Sequence, residues 1–112
     1  MKKIEIIFRP EKLEDLKDFM NEKKIYGMTV TMVNGCGQQK GRRVMYRGAE
    51  VMINLLPKIK VEIVLDDDRA DLLIPEIMES IRTGDVGDGK IFVSEIIEAY
   101  RVRTGETGDL IL

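Results

Sequence analysis

Residues 56–65 (LPKIKVEIVL) show the strictest alternation of apolar and polar side chains in the chain. From residue 59 onward every second side chain is a branched aliphatic, and the residues between them are mostly charged. An extended strand gives each set its own face, whereas a helix would mix the two sets around its circumference. One face comprises Ile59, Val61, Ile63 and Leu65, and the other comprises Lys58, Lys60, Glu62 and Val64. We therefore expect a sheet with one apolar face and one polar face.

The first 33 residues predict a strand, a helix and a second strand. Residues 3–8 alternate as a strand, which ends at Pro10. Apolar residues then recur at intervals of three and four up to about Lys24, which indicates a helix whose first turn tolerates the proline. The β-branched run at 28–33 (MTVTMV) favours the second strand.

The strand at 56–65 opens a second unit of the same order. Residues 66–82 carry an apolar stripe of helical period and begin with acidic residues, which a helix N-terminus favours. Pro75 lies inside that stripe, so we expect it to kink the helix or to delay its start. Residues 90–96 (KIFVSEI) and 99–105 (AYRVRTG) are expected to be extended.

Two tandem βαβ units predict an α+β fold of the ferredoxin-like type, with an antiparallel sheet and both helices on one face. A length of 112 residues is typical of a single domain. Residues 34–50 join the two units. They are rich in glycine and basic residues and have no apolar period, which predicts a long loop.

The composition excludes several classes of function. The chain has no histidine and one cysteine, Cys36, which excludes Ser-His-Asp and Cys-His catalysis, zinc fingers and a disulfide within the chain. A formal charge of −2 argues against non-specific nucleic-acid binding. No stretch approaches the roughly 20 apolar residues of a membrane span. The first apolar run is too short for a signal peptide, so we expect a cytoplasmic location without membrane insertion.

Residues 83–90 (TGDVGDGK) match most of the phosphate-binding loop pattern G-x-x-x-x-G-K. That loop requires a hydroxyl residue next, where this chain has Ile91, and it requires a strand before and a helix after. Here the expected order is reversed, so this reading is rejected. The simplest interpretation of Gly84 is a cap at the C-terminus of the second helix.

The segment Gly87–Lys90 (GDGK) is denser in glycine than a helix-to-strand connection requires. Successive small residues let backbone N–H groups converge on an anion, and Lys90 adds positive charge. Arg101 and Arg103 are two positions apart on an expected strand and would share a face. They could be a solvated strand edge, but beside this loop they favour a phosphate ligand.

The pattern T-x-x-x-G-D-G-K-I-F-V-x-x-I, residues 83–96, resembles the C-terminal signature of the PII nitrogen-regulatory signal proteins. The segments KIEIIFRPEKL, GMTVT, QKG, YRGAE, LPKIKVEIV and RVRTGE resemble the same family at the same spacings. This resemblance covers essentially the whole chain without gaps.

The resemblance implies a homotrimer of single domains spanning residues 1–112, with nucleotide sites in the clefts between subunits. Residues 37–55 would form the mobile T-loop, which engages target proteins, and residues 104–112 a C-terminal tail. Such proteins are regulators of nitrogen metabolism rather than enzymes. They bind ATP or ADP and, with Mg-ATP, 2-oxoglutarate. Their targets include an ammonium transporter and nitrogen-assimilation enzymes.

The resemblance also assigns residues to these ligands by position. The adenine end would be held by Thr29, Glu62 and Val64. Ribose and phosphates would be held by Gly35, Gly37, Thr83, Gly87, Asp88, Gly89, Lys90, Arg101 and Arg103. Mg²⁺ would be coordinated by Gln39, and 2-oxoglutarate would be surrounded by Arg9, Gln39, Lys40, Gly41 and Lys58. Contacts with a target would come from Tyr46 and Arg47.

Three positions depart from the family pattern. Val51 and Ala49 stand where relatives carry a uridylylated tyrosine and a phosphorylated serine, so we expect regulation by ligands alone. Gln38 stands where an arginine often approaches the γ-phosphate, and a neutral amide lowers the positive charge available to ATP over ADP.

Two other functions are consistent with parts of the pattern. A small ATPase would need a residue that activates water at the γ-phosphate, and Asp88 is the only acid within Gly87–Lys90. A divergent PII-like trimer could sense the adenylate ratio or another effector. The presence of both Gln39 and Lys58 favours 2-oxoglutarate.

Overall fold

The structure is a computed structural model that describes residues 1–36 and 55–112, together with the backbone of residues 43–46 and 49–52. Its elements are, in chain order, β1 (Lys2–Phe8), a 3-10 turn (Pro10–Lys12), α1 (Leu13–Glu22), β2 (Thr29–Gly35), β3 (Arg43–Tyr46), β4 (Ala49–Met52), β5 (Leu56–Leu65), α2 (Asp67–Ile81), β6 (Gly89–Glu95) and a 3-10 helix (Gly108–Ile111).

Four of the strands form one antiparallel sheet in the order β2-β5-β1-β6. The two central strands, β1 and β5, are therefore the first strands of the two βαβ units. The pair β1–β5 aligns Ile4 with Ile63 and Glu5 with Glu62, so apolar residues share one face and charged residues the other. This arrangement confirms the α+β fold that the sequence predicts.

One hydrophobic core lies between the apolar face of the sheet and the two helices. The alternation along β5 is reproduced in burial, since Ile59 to Leu65 are buried at every second position. The core comprises Ile4, Ile6, Phe8, Leu16, Met20, Ile25, Ile59, Val61, Ile63, Leu65, Ala70, Leu73, Ile77 and Ile81. Both helices therefore cover the same face, and the opposite face of the sheet keeps its charged side chains.

The second helix begins where its acidic residues predict. The carboxylate of Asp66 accepts a hydrogen bond from the backbone N–H of Arg69 over 2.9 Å and caps the helix. The helix then continues through Pro75 to Ile81. Of the two effects expected of Pro75, the delayed start is wrong, because the cap at Asp66 starts the helix about two turns earlier. The kink stays a prediction.

A short hairpin lies within the segment that the sequence interprets as a loop. Strands β3 and β4 pair antiparallel, with Val44 opposite Val51 and Tyr46 opposite Ala49. Each strand has four residues, which is too short to produce a recognisable apolar period. Within the residues that the structure describes, no helix is both long and apolar enough to cross a membrane.

Candidate functional site

The loop from Thr83 to Gly89, called here the glycine loop, connects α2 to β6. Three of its residues, Gly84, Gly87 and Gly89, have positive φ angles of 93°, 101° and 107°. A side chain at Gly89 would also place its Cβ 1.8 Å from the Ile7 carbonyl oxygen. Glycine is therefore required at this point, where the loop lies directly on the backbone of β1.

The position of Gly84 differs from the sequence interpretation. The C-cap of α2 is Arg82, which is already extended, and Gly84 follows it inside the glycine loop. The N–H of Gly84 donates to Asp88 over 2.8 Å, so its positive φ serves the loop rather than the end of the helix.

Asp88 organises the glycine loop from within. Its carboxylate accepts from the backbone N–H groups of Thr83 and Gly84 over 2.9 Å and 2.8 Å, from the Thr83 hydroxyl, and from Arg9 Nε over 3.0 Å. The hydrogen bond from the Thr83 hydroxyl is the largest of several interactions that hold the pKa of Asp88 well below its usual range. The carboxylate is thus fully engaged by the loop and by Arg9.

Two cationic side chains from the sheet also contact this loop. Arg9, at the end of β1, donates to the carbonyl oxygen of Val86 in addition to Asp88. Lys58, on β5, donates to the carbonyl oxygen of Gly87 over 2.9 Å. Burial, and then the charge of Arg9, lower the pKa of Lys58.

A cavity of about 640 Å³, the glycine-loop cavity, opens beside these contacts. It is lined by Ile7, Gly35, Cys36, Leu56, Lys58, Asp85, Gly87, Asp88, Gly89, Lys90 and Phe92. This combination of two lysines and a turn of small residues is chemically suited to an anion such as a phosphate. The structure thus places Gly35, Lys58 and the residues Gly87–Lys90 around one cavity.

A second cavity of about 450 Å³, the Thr29 cavity, includes the three residues expected at the adenine end, Thr29, Glu62 and Val64. Glu62 pairs with Lys3 over 2.8 Å and with Lys60 over 3.7 Å. The hydrogen bond from Lys3 is the main reason that the pKa of Glu62 is lowered. Glu62 therefore lies in a network of ion pairs, within β5 and across to β1, on the polar face of the sheet.

The two cavities lie at opposite ends of the β2–β5 pair. Thr29 is opposite Glu62 at one end, and Gly35 is opposite Leu56 at the other. Thr29 and Gly35 are six positions apart along β2, which corresponds to about 20 Å.

The arginine pair does not have the expected geometry. Arg101 and Arg103 lie in a turn, not on a strand, and neither residue lines the two cavities. The turn is closed by a hydrogen bond from the Gly105 N–H to the Arg101 carbonyl oxygen over 2.8 Å. Arg101 Nη1 also pairs with Glu106 over 2.9 Å. These local bonds stabilise the turn, and Gly105 provides the positive φ that it needs.

Several expected contacts fall outside the described residues. They are Gly37, Gln38, Gln39, Lys40, Gly41 and Arg47, and only the backbone is described for Tyr46. Among the described residues, no group of three carboxylate or thiol side chains converges as a cation site. Gln39, to which the resemblance assigns Mg²⁺, lies outside the described residues.

Sequence reasoning missed one functional feature of the described part, the contact between Arg9 and Asp88. The two residues are 79 positions apart, and no motif connects them. The resemblance assigned Arg9 to the effector and Asp88 to the nucleotide, whereas the structure places them in one ion pair.

Comparisons with known proteins match nearly the whole chain to one family. The family described as "Nitrogen regulatory protein P-II" matches residues 1–106. The chain is 51% identical over 108 residues to the "Nitrogen regulatory protein P-II" of Rhizobium meliloti (strain 1021), with 96% of each chain covered. It is 50% identical over 109 residues to "Nitrogen regulatory protein P-II 1" of Escherichia coli (strain K12), with 97% of each chain covered.

These matches confirm the resemblance drawn from the motifs. They also confirm the prediction of a regulatory protein rather than an enzyme, since the family is one of signal-transducing regulators. The matched region covers nearly the whole of this chain and of each relative. The chain therefore belongs to the nitrogen regulatory protein P-II family.

Proposed function

We propose that this chain regulates nitrogen metabolism by binding ATP or ADP and, together with Mg-ATP, 2-oxoglutarate. The observation that carries the nucleotide part is the glycine-loop cavity, where the GDGK segment lies beside Lys58. Backbone N–H groups of small residues and lysine ammonium groups are donors that proteins commonly use for phosphates. The residues present are therefore suited to a di- or triphosphate.

The effector would bind next to the phosphates. Arg9 and Lys58, two of the residues that the resemblance assigns to 2-oxoglutarate, both donate to the glycine loop. A dicarboxylate is attracted by two such cations, and its keto acid could share Mg²⁺ with ATP near Gln39. If either ligand strengthens the other, the enhancement must be reciprocal.

Membership of the P-II family supports a homotrimer with nucleotide sites between subunits. One copy would contribute the adenine end, and its neighbour the glycine loop. The side chains of Ile97 and Val102, which are fully exposed in the single chain, would be buried by contacts between copies.

The output would be a contact between residues 37–55 and a target protein in the cytoplasm. Arg47 is a long basic side chain that could pair with a target carboxylate, with Tyr46 beside it. The proposed targets are an ammonium transporter or nitrogen-assimilation enzymes. Because Ala49 and Val51 have no hydroxyl, ligands alone would control this contact.

The test is calorimetry of ATP binding in Mg²⁺, with and without 2-oxoglutarate, on the wild type and on Lys58→Met. We expect 2-oxoglutarate to strengthen ATP binding in the wild type and to have no effect in the variant. Lys17→Met is the matched control, because Lys17 forms only a surface pair with Glu14 on α1.

The outcomes of this calorimetry distinguish the proposed function from its alternatives. ATP binding that ignores 2-oxoglutarate in the wild type would favour a sensor of the adenylate ratio or of another effector. The absence of nucleotide binding would contradict the proposal altogether.

A further inference from the structure

Arg9 connects the end of β1 to the glycine loop by two contacts. Its Nε lies 3.0 Å from Asp88 Oδ1, and its Nη2 donates to the Val86 carbonyl oxygen. The Arg9 side chain is only 13% exposed, so this is a largely enclosed ion pair rather than a surface contact. Such charge-assisted bonds are stronger than neutral ones.

The same carboxylate orders the start of the loop. Asp88 accepts from the N–H groups of Thr83 and Gly84, and the N–H of Asp85 donates to the Thr83 hydroxyl over 3.1 Å. These three amides are therefore directed into the loop and not toward a ligand. An anionic ligand would bind beside an anionic Asp88, and the guanidinium of Arg9 offsets that repulsion.

Arg9 also keeps donors for a second partner. A guanidinium has five N–H groups, and the contacts with Asp88 and Val86 use two of them. An effector carboxylate could bind the remaining donors while the ion pair with Asp88 stays intact. Arg9 can thus contact the effector and hold the glycine loop at the same time.

From these contacts we infer that Arg9 is a positioning residue of the nucleotide site, which holds the glycine loop ready for phosphate even when no effector is present. This inference rests on the proposed function and extends it, since the resemblance gives Arg9 only to 2-oxoglutarate. It makes the glycine loop a physical connection between effector and nucleotide, because a loop held by phosphate keeps Arg9 in its contacts with Asp88 and Val86.

The experiment measures ATP and ADP affinity without 2-oxoglutarate in the wild type, Arg9→Met, Arg9→Lys and Lys12→Met. Lys12→Met is the matched control, because it also removes a cation near the end of β1. The Lys12 ammonium pairs with Asp15 at 3.6 Å and not with the glycine loop. We expect nucleotide affinity to fall about tenfold in Arg9→Met, as for loss of a charged hydrogen bond, and to be unchanged in Lys12→Met. Arg9→Lys should recover part of the affinity, since it restores the charge opposite Asp88 but not the second bond.

A second measurement follows the loop itself, by amide hydrogen exchange at Thr83 and Gly84. Both amides should exchange faster in Arg9→Met than in the wild type, while the core amides of β5 stay unchanged. If Arg9→Met bound nucleotide as well as the wild type and lost only the response to 2-oxoglutarate, the inference would be overturned. Unchanged exchange at Thr83 and Gly84 would overturn it as well.

Different results would contradict the proposed function and the inference about Arg9. A wild type that bound no nucleotide would contradict the proposed function, and amide exchange would still decide whether Arg9 holds the loop. A wild type that binds nucleotide, with no effect of Arg9→Met, would leave the proposed function intact and remove only this inference.

Discussion

Lys58 Nζ donates a hydrogen bond to the Gly87 carbonyl oxygen over 2.9 Å, which ties the middle of the sheet to the glycine loop. The same ammonium group lies close enough to Arg9 for the two positive charges to repel each other. Together with burial, this repulsion lowers the pKa of Lys58 from its ordinary value of 10.5. An anion bound at this site would reverse the shift.

Binding of 2-oxoglutarate should therefore take up protons at alkaline pH. A carboxylate beside Lys58 raises the pKa of the lysine, so the complex keeps a proton that part of the free protein has lost. At pH values below the lowered pKa of Lys58, the affinity for 2-oxoglutarate should not depend on the ionisation of this lysine. As the pH rises through that pKa, the affinity should fall. Calorimetry at about pH 9 in two buffers of different ionisation enthalpy measures the uptake.

The same wild-type titration at successively lower pH serves as the reference for that measurement, because proton uptake by Lys58 should vanish once the free protein keeps this proton as well. Equal binding enthalpies for the wild type in both buffers would show that Lys58 does not titrate with the ligand.

Nucleotide binding should protect Cys36 from alkylation. Cys36 is exposed, lines the glycine-loop cavity and is the only cysteine in the chain, so a single mass shift reports its modification. At an ATP concentration ten times Kd, the alkylation rate should fall about tenfold, because only the unoccupied fraction reacts. Adenosine is the matched ligand without phosphates and should protect far less. Equal rates with and without bound ATP would place the phosphates elsewhere.

Gly89→Ala should destabilise the fold by about 3 kcal/mol, since a Cβ there meets the backbone of Ile7 and the φ angle is positive. Gly84→Ala is the matched control, because Gly84 has a positive φ as well but nothing within 4 Å of the added Cβ. It should cost about 1 kcal/mol from backbone strain alone. Urea unfolding at one protein concentration measures both values. Similar losses in the two variants would mean that the close contact at Gly89 is relieved by movement of the loop.

Asp66→Ala should lower the free energy of unfolding by about 1 kcal/mol, because it removes the cap that accepts from the Arg69 N–H. Asp68→Ala removes an exposed acid from the first turn of the same helix and should cost about 0.5 kcal/mol or less. Urea unfolding compares them. A loss at Asp68 as large as that at Asp66 would indicate a general charge effect instead of a specific cap.

Much of the fold could be predicted because its elements carry regular periods. The alternation at 56–65 matches β5 at both ends, and the acidic start of α2 follows from the helix dipole. The burial of every second residue on β5 required no tertiary information, since one face of the strand is apolar along its length. Strong local patterns of this kind survive folding because packing against the helices reinforces them.

The features that could not be predicted depend on partners distant in the chain or on local bonds that compete with a strand. The spacing of Arg101 and Arg103 is compatible with a shared strand face, but the hydrogen bond from Gly105 and the pair with Glu106 stabilise a turn instead. The contact between Arg9 and Asp88 depends on how β1 and the glycine loop meet in the folded sheet. No local period contains that information.

The contact of Gly89 with the backbone of β1 has a consequence for anyone who designs new ligand preferences into this scaffold. Position 89 accepts no side chain, so variants substituted there in a mutational library would fold poorly. Asp85 and Val86 have exposed side chains on the same loop, and Asp85 lines the cavity. Diversity is best directed to these two positions, where new chemistry can enter the site while the frame of the loop is kept.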